Sequence, residues 1–280
     1  MVPMVADCHK SLHRDRKKAF LFRLAKVWLI MTLQAFQSQL LTHWGSILFL
    51  LGKIVRFLLF FVFLFTVLGQ RRSLAGYNRE EVILFFLVFN LVDISIQFLF
   101  RGVYHFRSRV VRGDYDLDLL KPLPSFFRPI FGFSDILDLI TLFPLWLFFL
   151  WFVSTSNLFS LSQFLTFSIL FLNSLILGFA FHLFVCAVCL LTTEIDHLIW
   201  VYRDLTNMAR FPTDIYQKGL RFILTFTIPV IVLITFPAKA LLGLLSFRTA
   251  TFAFLASSSL LLASLKFWRF ALSRYSSASS

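Results

Sequence analysis

The sequence predicts an all-α integral membrane protein. It has six transmembrane helices, both termini on the cytoplasmic side, an N-terminal interfacial helix and a short cytoplasmic helix between the second and third spans. Three observations carry this. The chain is 59% hydrophobic, with 39 Phe among 280 residues and a mean hydropathy of +0.82; too few polar residues remain to cover the outside of a water-soluble domain. Several runs of about 15–30 residues are nearly free of charge, and so many cannot share one soluble core. Finally, Lys and Arg are distributed unevenly between the connecting segments, twenty on one side against five on the other, which places both termini in the cytoplasm.

The elements follow in chain order. Residues 1–20 form a basic tail, 21–270 the six-span unit and 271–280 a Ser-rich tail expected to be disordered. Within "AFLFRLAKVWLIMTLQAFQSQLLTHW", Leu21, Leu24, Trp28, Met31 and Ala35 recur at helical spacing with Arg23 and Lys26 off that line. This pattern suits a helix lying along the membrane surface. The spans are read at 47–68, 81–100, 136–153, within 161–191, 222–236 and 249–267. Each approaches the roughly 20 residues that cross a ~30 Å hydrocarbon layer at 1.5 Å per residue. The fifth is short and is followed by Pro237, so "FPAKALLG" is a candidate re-entrant piece. Lys53 and Arg56 lie in the first span near its cytoplasmic end and are expected to snorkel to the headgroups. The first long apolar run begins only near Ile47 and has no small-residue cleavage site after it, so it is expected to stay as an anchor.

Composition also excludes functions. The net charge of +13 suggests nucleic acid at first sight, but in a membrane chain the excess marks cytoplasmic loops; no nucleic-acid partner is expected. Cys8, Cys186 and Cys189 are an odd number with no disulfide or zinc spacing, and "CAVC" lies in an apolar run without a βαβ setting. Glu194, Asp196 and His197 are spaced i, i+2, i+3, which does not put all three on one helix face; no metal and no cofactor are expected. There is no G-x-x-x-x-G-K-[ST], G-x-S-x-G or H-E-x-x-H. No catalytic motif is thus read in the chain, and a non-catalytic membrane protein is expected.

The second to third loop breaks the apolar pattern. "VVRGDYDLDLLKPLPSFFRPIFG" holds Asp114, Asp116 and Asp118 and then three prolines. An EF-hand would need Gly and Glu where Leu119 and Ser125 stand. A sugar-nucleotide site would need a larger extramembrane domain than any loop here provides. A solvated loop leaves unexplained the leucines after the acids and the proline stop. The pattern reads better as a short amphipathic helix whose leucines need an apolar contact, with Phe126, Phe127, Ile130 and Phe131 suited to the bilayer surface.

Here the sequence resembles a known family. "GDYDLDLLKPLPSFF" is similar to the Gly–x–x–Asp–x–x–Leu–(Leu)–(Lys/Arg)–Pro–Leu motif of bacterial ATP-binding-cassette type-2 export permeases, carried by Gly113, Asp116, Leu119, Leu120, Lys121, Pro122 and Leu123. Downstream, Arg210, Pro212, Tyr216, Arg221, Pro229, Pro237, Ala238 and Gly243 match a second line of that branch of six-span permeases. The family's usual Tyr-Arg before the first span is replaced by "LTHW". The resemblance implies a permease subunit of an ATP-driven exporter in the bacterial inner membrane, working by alternating access. It further implies cytoplasmic ATP-binding subunits as partners, a second permease subunit (itself or a sister chain), and a coupling helix in this loop that docks on the ATPase. The competing class is a secondary transporter or channel independent of ATP.

Inside the second span, Asn90, Asp93, Gln97 and Arg101 form one polar stripe at i, i+3, i+7 and i+11. An intramembrane acid marks a substrate passage or a polar contact between helices. Ser174, Gly178, His182 and Cys186 run at i+4 steps on the fourth span and read as a close helix contact.

Overall fold

The computed structural model describes residues 3–40, 43–70, 73–156, 160–193, 196–226 and 229–276. The chain is 85% helical and has no strand among the described residues; Leu74 and Tyr77 alone pair as an isolated bridge. The helices are α1 (Pro3–Leu40), α2 (His43–Gln70), α3 (Arg79–Phe100), α4 (Val103–Val111), α5 (Asp114–Leu119), α6 (Phe127–Phe131), α7 (Ile136–Thr155), α8 (Leu161–Thr192), α9 (Asp196–Asn207), α10 (Lys218–Phe226), α11 (Phe236–Leu241) and α12 (Phe247–Arg274).

Two helices make the core. α3 is apolar all round from Val82 to Phe89, and most of these side chains are fully buried, as expected for a helix with neighbours on every side. α8 runs parallel to it. Ile96 of α3 lies over Gly178 of α8, where an added Cβ would stand 2.7 Å from the Ile96 Cδ1; a glycine is required for that approach. α12 returns along α8, with Phe267 stacked on Phe184 at 5.1 Å.

Six helices are long and apolar enough to cross a membrane, by length and composition: 18–40, 47–66, 79–111, 136–155, 161–192 and 247–274. The expected number stands, but membership differs. Residues 18–40 enter the set and 222–236 do not. Along α1, Trp28 meets Phe98, Thr32 meets Ser134, and Gln39 bonds both Ser134 and Ile136. Eleven helical residues rise about 16 Å, yet their partners all sit at one end of the bundle. α1 therefore lies across that end.

The expected fifth span is replaced by a folded-back segment. α10 is nine residues long, and after Pro229 the chain makes a wide π-type turn at Ile231–Thr235 before α11. Pro237 explains the widened turn, because it has no N–H for the Leu233 carbonyl four residues earlier. Ser174 of α8 donates its hydroxyl to that carbonyl at 2.6 Å, the kind of repair that lets irregular backbone persist among buried helices.

Residues 196–221, within the stretch that the sequence places as the loop between the fourth and fifth spans, instead run the length of α3. Tyr202 stacks on Phe181 near the C-terminal end of α8. Arg210 lies over Phe89, midway along α3. Asp214 accepts a hydrogen bond from Tyr77, just before α3 begins. A hydropathy reading misses this path because Arg203, Asp204, Asn207 and Arg210 interrupt it. At the other end, α12 extends to Arg274, four residues into the stretch read as a tail.

Candidate functional site

The candidate coupling loop is held by one buried acid. α4 ends at Gly113, whose φ of +76° lies in the left-handed region that favours glycine. The chain then turns into the six-residue helix α5. Asp118, with its side chain 4% exposed, accepts from Arg109 of α4 at 2.5 Å, from Lys121 at 2.9 Å and from Arg128 of α6 at 2.7 Å. Burial by itself would raise its pKa. The hydrogen bonds from Lys121 and Arg109 and the charges of Arg109 and Arg128 outweigh burial and hold the carboxyl below the usual carboxylate range. α6 is seated on the end of α3 at Gly102, where an added Cβ would stand 2.6 Å from the Pro129 carbonyl oxygen and 2.7 Å from that of Ile130.

The last helix is tied to the same loop. Tyr275 donates to Asp116 at 3.0 Å, and the Trp268 indole N–H donates to the Ser125 hydroxyl at 3.0 Å. Tyr115, fully buried, packs edge-on against Phe106 and Tyr275. Burial first, then the bond to Asp116, push the Tyr275 phenol up to about 12. The outer side carries leucines: Leu117, Leu119 and Leu120 are 62%, 38% and 83% exposed, with Lys121 and Pro122 exposed beside them. A braced helix thus presents leucines that touch nothing in this chain's core.

A family model described as ABC-2 family transporter protein matches residues 53–279. The chain belongs to the ABC-2 transporter family. It is therefore a multi-pass membrane permease of the ATP-binding-cassette class, a membrane subunit of a kind that associates with ATP-binding subunits. No curated protein and no solved structure matches it.

Of the ABC-2 motif residues predicted from sequence, Gly113 supplies the turn, Lys121 braces Asp118, Asp116 anchors Tyr275, and Leu119, Leu120 and Pro122 are exposed. Sequence reasoning missed Asp118, its partners Arg109 and Arg128, and Leu117. Residues 109–128 offer three acids and four cations, and only the α4–α6 packing singles out Asp118 and the three that converge on it.

The polar stripe does not act as one unit. Asn90 donates to the Phe86 carbonyl of its own helix, and Gln97 donates to Asp93 at 2.7 Å. Arg101 turns away to the start of α7, pairing with Asp135 at 2.8 Å and Asp138 at 2.9 Å. Lys53 pairs with Asp138, a nearly fully buried carboxylate, at 2.5 Å. Arg56, Arg203 and Arg210 are the cations acting on Asp93.

At the opposite end of the bundle, Asp214 is a second hub. It receives Tyr77, Arg221 and Lys239, each at 2.7 Å. Burial would raise its pKa; the bonds from Lys239 and Tyr77, then the charges of Lys239 and Arg221, hold it below the usual range. The second sequence motif closes here: Tyr216 donates to the Met208 carbonyl at 2.7 Å, and Gly243, at φ +69°, ends α11. Cys186 and Cys189 are buried, and His182 is buried with Nδ1 2.8 Å from the Gly178 carbonyl oxygen. His197 is exposed, while the Glu194 and Asp196 side chains lie outside the described residues. Among the described residues no three His, Cys, Asp or Glu side chains could hold a metal.

Proposed function

We propose that the chain is the transmembrane permease subunit of an ATP-driven exporter in a bacterial inner membrane, and that it works by alternating access. The observation that carries this reading is the exposed Leu117, Leu119 and Leu120 face on a helix fixed by Asp118. A lever must be rigid behind and apolar in front. The α4–α6 unit has both properties, and three uncovered leucines at a domain edge suit a protein contact. On this reading two cytoplasmic ATPase subunits seat on α5, one for each of two permease subunits, both termini are cytoplasmic, and Gly113, Asp116, Leu119, Leu120, Lys121 and Pro122 make up the coupling segment. ATP binding closes the ATPases and the segment passes the displacement to α3 and α12.

The test is co-purification. The full-length permease and its candidate ATPase are expressed together and captured through a tag on the permease. Leu120→Asp, at a position 83% exposed, is expected to abolish capture and ATP-dependent export while leaving the permease's thermal midpoint unchanged. Capture unaffected by both Leu120→Asp and Leu117→Asp would refute docking at α5. Transport that follows an ion gradient and ignores ATP depletion would favour the secondary-transporter class.

A further inference from the structure

The ion pairs inside the bundle fall into two groups with different balances. Near α5, Lys53 and Arg101 face Asp135 and Asp138, two cations against two acids. Deeper along α3, Arg210 lies over the rings of Phe60 and Phe89, one helical turn from Arg56 on α2 and from Asp93 on α3, and Arg203 is the third cation acting on Asp93: three against one. Asp204, the next acid, is exposed and stands about 100° round α9 from Arg203. Among the described residues no further acid faces these cations.

Arg56 is exposed, whereas Arg210 is held as if awaiting a ligand. Arg210 is fixed by Asn207, to which it donates at 2.8 Å, and by the rings of Phe60 and Phe89 at 5.6 and 5.3 Å. Its Nε is buried and makes no hydrogen bond. Arg203 lies over the Trp200 ring at 5.1 Å, and Gln97 occupies one oxygen of Asp93. An uncompensated cation at membrane depth is costly, and a buried guanidinium donor left unpaired adds to that cost. An oxyanion would satisfy both, since arginine forks match phosphate and carboxylate.

We propose that Arg56, Arg203 and Arg210 form a recognition site for the acidic group, phosphate or carboxylate, of the transported molecule. The site rests on the permease reading but is tested without an ATPase, so failure of one leaves the other standing. Asp93 keeps the net charge modest, so the anion is held and still released.

The experiment uses the full chain in neutral detergent, with binding followed by thermal shift and by tryptophan fluorescence. The probes are lysophosphatidic acid, lysophosphatidylcholine and inorganic phosphate. Lysophosphatidic acid is expected to bind saturably and to weaken with added salt, and lysophosphatidylcholine is expected not to bind. Saturable binding of inorganic phosphate as well would identify a soluble anion as sufficient; its absence would identify an acidic amphiphile. Arg203→Gln and Arg210→Gln should each weaken binding about tenfold or more, whereas Lys18→Gln on exposed α1 should not. If the glutamine variants fail to fold, Arg210→Lys keeps the charge, loses the fork and should weaken binding by an intermediate factor. Equal binding of both lysolipids, or binding indifferent to all three arginine variants, would overturn the proposal. So would a stable dimer that binds no anion and dissociates on Arg210→Gln, for then an acid of a second copy closes the cluster.

Discussion

Replacing Asp118 by Asn tests whether one carboxylate braces the coupling loop. The change keeps shape and volume but removes the charge that three cations share. Arg109, 25% exposed and 2.5 Å away, makes a charge-assisted bond of about 1.5–3 kcal/mol. Arg128 and Lys121 are 35% and 42% exposed, so solvent screening reduces each to about 0–1 kcal/mol. Asn retains one acceptor, which leaves a loss of roughly 2–3 kcal/mol for α4–α6, or about 30- to 150-fold in its opening equilibrium. Hydrogen–deuterium exchange over residues 103–131 reads that equilibrium directly. The faster exchange should be confined to this unit and absent from the middle of α8. The same bond has a pH signature. The folded-state pKa of Asp118 is depressed, so its contribution is complete above the ordinary carboxylate range near 4 and is lost as pH falls through the folded value. Acidification should therefore loosen the wild-type loop and leave the Asn variant indifferent. Equal exchange in the two proteins at neutral pH would refute the brace.

Three further outcomes follow from the packing. Gly102→Ala would drive a Cβ to 2.6 Å from a backbone carbonyl, and moving α6 off α3 should cost about 1–3 kcal/mol, measured as a lower thermal midpoint in detergent. Ser174→Ala removes the hydroxyl that satisfies the Leu233 carbonyl; a cost of about 1–3 kcal/mol, with exchange rising at 229–241, is expected, and Ser174→Thr should recover part of it. Tyr275→Phe removes the bond to Asp116 and should raise exchange over 268–276. In the wild type the phenol's pKa is raised to about 12, so this bond contributes fully below the ordinary value near 10 and is lost only as pH rises through about 12.

The apolar helices were legible because length and charge suffice to find them, and the loop motif was legible because its acids, leucines and prolines stand together in sequence. The roles within that loop were not. Asp116 and Asp118 are equally spaced acids in the sequence, and only the meeting of α4 with α6 makes Asp118 the hub. The fate of Lys53 was likewise hidden, because its partner Asp138 is 85 residues away. The largest miss was 192–241. A window average treats Arg203, Asp204 and Arg210 as a soluble loop, and it cannot register that Asp93 and the rings of Phe60 and Phe89 await them. The two prolines that break the expected fifth span were visible, but the hydroxyl that tolerates one of them sits on another helix.

The polar run from α9 to Asp214 bears on how the protein is made. At about 2.5–3.5 kcal/mol for each charged side chain at mid-membrane, Arg203, Asp204 and Arg210 would keep this stretch out of lipid if it entered alone. Its resting place against α3 and α8 is synthesised earlier, so the stretch enters as a guest of helices already inserted. Biogenesis therefore has a late, packing-dependent step, and damage to the acceptor groove on α3 would leave a correctly translated but half-threaded chain for membrane proteases to find.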